Sequence, residues 1–357
     1  MKIHLQVDGA PDKAARSARH IAELGADGAF SFEGQHDVFF PLLVAAAETE
    51  LELMTNVAIA GPRSPLHLAH AAYDLQQYSS GRFRLGLGSQ IRVHIEKRYG
   101  SQWGKPAARM AESVTAVKAI FATWEGQAPL EFRGEYFTHT LMPPNFNPGP
   151  SPFGPPPVLM GALGPLMTRK AAEVADGVLV MPFNSARHFS ERTVPAIEDG
   201  LQRSGRTPTD LQIVAQAMVA VGSTEEQLVH AINRVAFLIA FYASTPNYLP
   251  VLEAEGLAHL QPRLNELSKA GDYPGMAALI DEDTVRVYGV VGTPEECAAQ
   301  IHERYGSYAG DVCCYFPGYT PDPSDVADLV GAVQRLPVRQ FIPAIPQLPA
   351  SSTGDDK

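Results

Sequence analysis

Cysteine is scarce in this chain. There are three in 357 residues, Cys297, Cys313 and Cys314. The last two are adjacent, where a bridge is strained. No C-x-x-C or His/Cys cluster occurs, so neither a disulfide framework nor a metal site is indicated. Long apolar runs are also missing. No stretch approaches the roughly 20 consecutive apolar residues that span a bilayer. The opening MKIHLQVDG alternates apolar and polar residues. It lacks the apolar core of a signal peptide and reads as a first strand, so a cytoplasmic protein is expected. Basic clusters are absent as well. The net charge is −11, from 28 basic and 39 acidic residues, which disfavours nucleic acid or an anionic membrane as partner.

What is present is a 45% apolar chain in which strand-like and helix-like segments alternate. Strands are expected at 2–8, 27–33, 52–57, 82–87, 157–160, 177–181, 211–220 and 311–316. Helices are expected at 11–24, 39–50, 65–78, 106–124, 165–174, 186–204, 224–243 and 323–335. Eight strands in βα order predict an α/β fold, a (β/α)8 TIM barrel. A doubly wound open sheet shares this local grammar and stands as the alternative. Three stretches interrupt the pattern. Residues 128–140 read as a hairpin around Gly134. Residues 143–157 hold eight prolines and read as a surface loop. Residues 244–285 read as a helical insertion between strands 7 and 8. One domain is expected over 1–340, and 341–357 as a C-terminal tail, disordered at its end.

In a barrel the site is built from residues just after the strands. Three clusters occupy such positions. Glu33, His36 and Asp37 follow the second strand and offer acid–base groups; Asp37 equally suits a helix cap. Gly86-Leu87-Gly88 ends the fourth strand and would let a flat ligand or phosphate approach the backbone. Ser89, Gln90, Arg92 and His94 follow it, either as ligands for a polar cofactor tail or as exposed loop residues. As a dinucleotide fingerprint the run is weak: the third glycine falls at Ile91 and no acidic residue follows at the right distance. Finally, Gly161-Ala162-Leu163-Gly164-Pro165 precedes a helix. Pro165 suits its first position, and free N–H groups at a helix start make a phosphate site. An ordinary βα turn would look the same.

Taken together, these elements resemble the luciferase-like monooxygenase superfamily from Met1 to about Pro321. The resemblance is carried by Glu33, His36-Asp37 and Phe40-Pro41, then Thr55-Asn56-Val57 and Arg63-Ser64-Pro65. It continues through Ser80-Gly81-Arg82-Phe83-Arg84-Leu85-Gly86-Leu87-Gly88, Arg109, Glu112, Gly164-Pro165 and Ala175-Asp176-Gly177. The stretches Leu87–Glu96, Leu141–Phe146 and Phe241–Pro246 are similar to its branch of oxidoreductases that use the deazaflavin coenzyme F420.

The resemblance implies a non-prolyl cis peptide at Asn56–Val57 behind the deazaflavin ring. It implies coenzyme contacts at Ser89, Gln90 and His94, and phosphate contacts at Ala162, Leu163 and Gly164. It also implies a homodimer pairing through 39–50 and 65–78. Glu33 and His36 are the expected catalytic residues. Here the sequence departs from the family: relatives place a histidine directly after the acid, where this chain has Gly34. The position of the glutamate base in sugar-phosphate dehydrogenase relatives is near Ile91, which disfavours sugar-phosphate oxidation.

Three functions follow as alternatives. One is F420-dependent hydride transfer to or from a small organic substrate. The second is an FMN-dependent monooxygenase using reduced flavin and oxygen. The third is a barrel that has lost its activity. Tyr242, Tyr248 and Phe241 are candidates to line the substrate space, although aromatic residues on a helix also serve as core.

Overall fold

The computed structural model describes residues 1–337; the expected tail at 341–357 lies outside them. Eight parallel strands close into a ring: β1 (Lys2–Gln6), β2 (Gly28–Ser31), β3 (Glu52–Thr55), β4 (Phe83–Gly88), β5 (Val158–Ala162), β6 (Gly177–Val180), β7 (Gln212–Val221) and β8 (Asp311–Tyr315). Each pairs with the next, and β8 pairs back onto β1, so the (β/α)8 barrel is closed and the open sheet is excluded.

Proline opens many of the flanking helices, among them Pro11–Glu23, Pro65–Tyr78, Pro106–Trp124, Pro165–Val174 and Pro323–Arg335. Its fixed φ suits the first helical position, where its missing N–H costs nothing. Apolar residues at helical spacing, such as Ala14, Ala18 and Ile21, then pack on outward-facing strand residues such as Ile3 and Leu5.

Some boundaries differ from the expected ones. The helix Glu225–Ala243 buries Ala231, Val235, Ile239 and Ala240 in a core shared with Val251, Leu252, Leu264 and Val285. It therefore belongs to the insertion, which spans 223–289 rather than 244–285. A short strand, Val290–Gly292, extends the sheet beside β7, and the helix that follows is Pro294–Tyr305. That helix escapes a reading by apolar runs because it carries four charged side chains at its ends, Glu295 and Glu296 in the first turn and Glu303 and Arg304 in the last. Its start is nonetheless marked: Thr293 and Glu296 form a capping box,. The expected hairpin is formed by Phe132–Arg133 and Thr138–His139. The proline-rich stretch holds one 3-10 turn, Pro144–Phe146.

Inside the barrel, side chains alternate in and out and stack in layers. The middle layer is apolar: Phe30, Met54, Leu159, Leu179, Val214 and Cys313. Below it, at the N-terminal ends of the strands, lies an ionic floor. Arg84 Nη1 donates to Asp311 Oδ1 at 3.0 Å, and Nη2 to Glu52 Oε2 at 3.2 Å. Gln212 Nε2 donates to Asp311 Oδ2 at 2.8 Å. His4 Nε2 lies 2.7 Å from Asp311 Oδ1.

Burial is the largest effect on His4 and lowers its pKa, against the hydrogen bond to Asp311. The neutral ring donates from Nε2, and Nδ1 has no partner. Gly28 permits this arrangement, because a Cβ there would lie 2.2 Å from Nδ1. Burial opposes ionisation of Asp311, but His4, Arg84 and Gln212 outweigh it and hold the carboxyl well below the usual range. His4, Glu52 and Asp311 have the donor types of a metal set. The Arg84 guanidinium between them supplies the positive charge instead.

Removing one partner of a buried pair leaves the other uncompensated, at a cost of about 3–5 kcal/mol. Asp311→Ala is expected to lose stability on that scale, read as a lower denaturation midpoint in guanidinium. The double replacement Arg84→Met/Asp311→Leu should lose clearly less. Equal losses would show that the pairing is not what matters there.

Candidate active site

The opposite end of the barrel is the mouth. Continuing the inward alternation past the apolar layer brings Gln6, Phe32, Asn56, Leu163, Met181, Gln216 and Tyr315 to it. Gln6 and Phe32 are exposed there, and Leu163, Met181 and Tyr315 are half-buried.

The peptide between Asn56 and Val57 is cis. Around it the backbone is tightly interlocked. Thr55 Oγ1 donates to the Gly86 carbonyl and accepts from the Gly86 N–H, both at 2.8 Å. A Cβ on Gly86 would lie 2.0 Å from the Thr55 carbonyl oxygen, and one on Gly88 would lie 2.3 Å from Val57 Cγ2. The two glycines of β4 thus make room for the neighbouring strand and for Val57. This corrects the sequence reading, in which they opened the backbone to a ligand. The half-buried Val57 side chain is seated over Gly88 and Gly161. Asn56 is buried; its Nδ2 donates to Tyr315 Oη at 3.1 Å, and that hydroxyl donates to Gln216 Oε1 at 2.7 Å.

Glu33 is fully engaged. Its Oε2 accepts from Ile59 N–H at 2.8 Å and from Arg63, and its Oε1 accepts from Tyr99 Oη at 2.8 Å. Burial, then Glu33, pushes the Tyr99 phenol up to about 12. Arg63 also reaches Asp37 at 3.2 Å. His36 is exposed, with its ring edge near Gly9, and makes no bond to Glu33. At Gly34, a Cβ would lie 2.7 Å from the Phe32 ring. Phe32 therefore covers the space that a side chain at position 34 would take.

Ser89 and Gln90 build their own turn. Ser89 Oγ donates to the Gln90 carbonyl, Gln90 has φ +56°, and its side chain accepts from Ile91 N–H. His94 lies half-buried on the short helix Arg92–Lys97. Ala162 closes β5 and is buried, whereas Leu163 is half-buried and Gly164 exposed. Gly164 is the N-cap of the helix opened by Pro165, and no side chain caps that helix. Its first N–H groups are left for water or a ligand. A Cβ on Gly164 would meet open space.

Tyr315, Gln216 and Tyr99 were missed from sequence. Tyr315 ends β8, a position the strand-end rule marks. Gln216 lies inside a long apolar strand, where nothing local distinguishes it. His188 was also missed. It is buried, its ring bonds Asn184 Oδ1 through Nδ1 at 2.9 Å, and burial followed by Arg192 lowers its pKa to about 4.

Overpacking a filled site costs about 1–3 kcal/mol. Gly88→Ala is expected to lose that much stability, because the added methyl collides with Val57. Gly164→Ala should stay within about 0.5 kcal/mol, as surface changes usually do. Urea unfolding of both variants checks the contrast, and comparable losses would refute it.

Comparison with known proteins agrees with this architecture. The family model described as luciferase-like monooxygenase matches residues 2–310. An uncharacterized protein of Mycobacterium tuberculosis is 44% identical over 305 residues, covering 84% of this chain and 90% of its own. The 5,10-methylenetetrahydromethanopterin reductase of Archaeoglobus fulgidus is 28% identical over 340 residues, covering 91% and 96%. Among solved structures, the coenzyme F420-dependent tetrahydromethanopterin reductase of Methanopyrus kandleri superposes with a TM-score of 0.74 at 23% identity, covering 93% and 96%. The chain belongs to the luciferase-like monooxygenase family.

Proposed function

We propose that the protein is an F420-dependent oxidoreductase acting on a small organic substrate. The observation that carries this reading is the layout of the mouth. Val57 offers an apolar surface there, seated over Gly88 and Gly161, and β5 leads into a helix start with no side-chain cap. An apolar backing beside free N–H donors fits a flat ring with an anionic tail. Methanopterin reductases at 26–28% identity over nine-tenths of the chain support the same reading. When bound, the coenzyme would supply the hydride chemistry.

The chain's own residues position and bind. Asn56 and Val57 would back the ring, and Ser89, Gln90 and His94 would flank it. Backbone N–H groups of Leu163 and Gly164 would hold the phosphate, helped by the helix dipole; Ala162, expected to join them, is paired with β6 in the sheet and would only support the turn. Of the acid–base pair, His36 keeps a solvent-facing imidazole. Glu33 acts through what it holds: Arg63, Tyr99 and the Ile59 N–H. No single helix among the described residues is long and apolar enough to cross a membrane.

We further propose a homodimer through 39–50 and 65–78. Phe40, Leu43 and Tyr78 are 60%, 42% and 56% exposed on these helices, which suits a buried contact between copies. Light scattering should give twice the chain mass; a monomer at micromolar concentration would overturn this.

The coenzyme assignment is tested by titrating the protein with F420 and with FMN side by side and following their absorbance and fluorescence. F420 should bind and FMN should bind more weakly. The reverse order would favour the flavin monooxygenase alternative, whose relatives include a Baeyer–Villiger enzyme solved with FMN on this fold. Gly164→Val should weaken F420 binding more than tenfold, about 1.4 kcal/mol, with the thermal midpoint unchanged. Its φ of −75° and ψ of 156° suit a β-branched residue,. Unchanged affinity in the folded variant would put the phosphate elsewhere.

A further inference from the structure

Five tyrosines gather where the 223–289 insertion meets the barrel mouth, and they differ in what their hydroxyls do. Tyr315 is satisfied by Asn56 and Gln216. Tyr319 donates to the Val219 carbonyl at 2.8 Å and accepts from Val221 N–H at 3.0 Å. Tyr288 donates to the Val251 carbonyl at 3.4 Å. Tyr242 and Tyr248 have no hydrogen-bond partner among the described residues, and neither hydroxyl is sealed from solvent. Both rings are half-buried and 6.1 Å apart, and each packs on Phe183 just beyond β6, at 5.9 and 6.2 Å.

Two adjacent phenols that are open to solvent and unbonded to the protein, on an aromatic wall beside the mouth, form a pair of directed donors with nothing inside the protein to receive them,. Their surroundings are also neutral. Burial, then Tyr248, raises Tyr242, and burial alone raises Tyr248. Tyr315 is raised by burial and, further, by Cys313 and Tyr242. Among the described residues none of the three hydroxyls is hydrogen-bonded to a charged side chain, and the charge acting on the neighbouring Tyr288 is the Glu255 carboxylate, which is itself negative. Glu33 and Asp37 of the β2 loop are both committed to Arg63. An anionic substrate placed here would lose its water without gaining a counter-charge.

We propose that this aromatic wall binds an uncharged aromatic compound carrying a carbonyl or imine, whose heteroatom accepts hydrogen bonds from Tyr242 and Tyr248. The hydride-acceptor part of this class rests on the coenzyme reading above. The neutral and aromatic parts rest on the tyrosine cluster itself.

The test uses 2-acetylnaphthalene and its charged counterpart, 6-acetyl-2-naphthoate. Binding of each is titrated by saturation-transfer NMR on the full chain, without and with F420. The neutral ketone should bind, and the carboxylate should bind at least tenfold more weakly. Tyr242→Phe and Tyr248→Phe keep the ring and remove only the hydroxyl. Each should weaken the ketone about fivefold, as expected for one hydrogen bond, with F420 affinity within twofold of wild type. Equal or tighter binding of the carboxylate would overturn the proposal. So would unchanged ketone affinity in both variants, which would leave the phenols as packing alone. Failure of the wild type to bind F420 would overturn the coenzyme reading but not this one, because the ketone titration on coenzyme-free protein still decides it.

Discussion

Asp311 at the start of β8 accepts hydrogen bonds from side chains of β1, β4 and β7, and Arg84 carries the connection on to Glu52 of β3. Five strands of eight are therefore tied through one buried carboxylate and one guanidinium. Buried charges of this kind do little for net stability relative to apolar replacements. They do fix geometry: the Asp311 carboxylate is satisfied only when β8 returns beside β1 at the observed register. Closure of the barrel, and with it the relative height of every strand end at the mouth, depends on this floor. The apolar layer above it would tolerate sliding far better, since hydrophobic contact is not directional.

The strand ends and helix starts were largely legible in the sequence. Proline at the first helical position and alternation along β1 or β2 are local signals, and they located seven of the eight repeating units well. The seventh was misread because Glu225–Ala243 looks like a barrel helix by its own pattern. Which core it serves is decided by partners far along the chain, Val251 to Val285, which no local pattern reveals. The helix Pro294–Tyr305 shows the converse: its capping box was readable, but its apolar face is narrow.

The site was legible in part. Where chemistry can sit follows from the fold, so Glu33, Asn56 and Gly164 could be picked out as positions. What each does depends on neighbours across the barrel. The Glu33 carboxylate is consumed by Arg63, Tyr99 and a backbone N–H. The β4 glycines are filled by Thr55 and Val57. The polar chain across the mouth joins β3, β7 and β8, so it exists only once the ring has closed. Gln216 looks like an ordinary strand residue until then, and Tyr315 is marked only by its place at the end of β8.

The two-core construction has a consequence for how such a protein diversifies. Phe183, Met218, Ala220 and Val291 are contributed by the barrel side to a hydrophobic cluster whose other members come from the insertion. The shell between strands and outer helices, and the layer inside the ring, are separate clusters. The scaffold and the roof over its mouth can therefore drift at different rates. Exchange of the 223–289 segment between homologues needs compatibility at those positions, at Leu163, Met181 and Tyr319 packed against them, and at polar links such as Ser223–Asp325 and Arg234–Gly318, while the closed ring and its floor remain untouched. Ancestry could thus be preserved in the lower half of the molecule while its chemical selectivity is rewritten in the upper half.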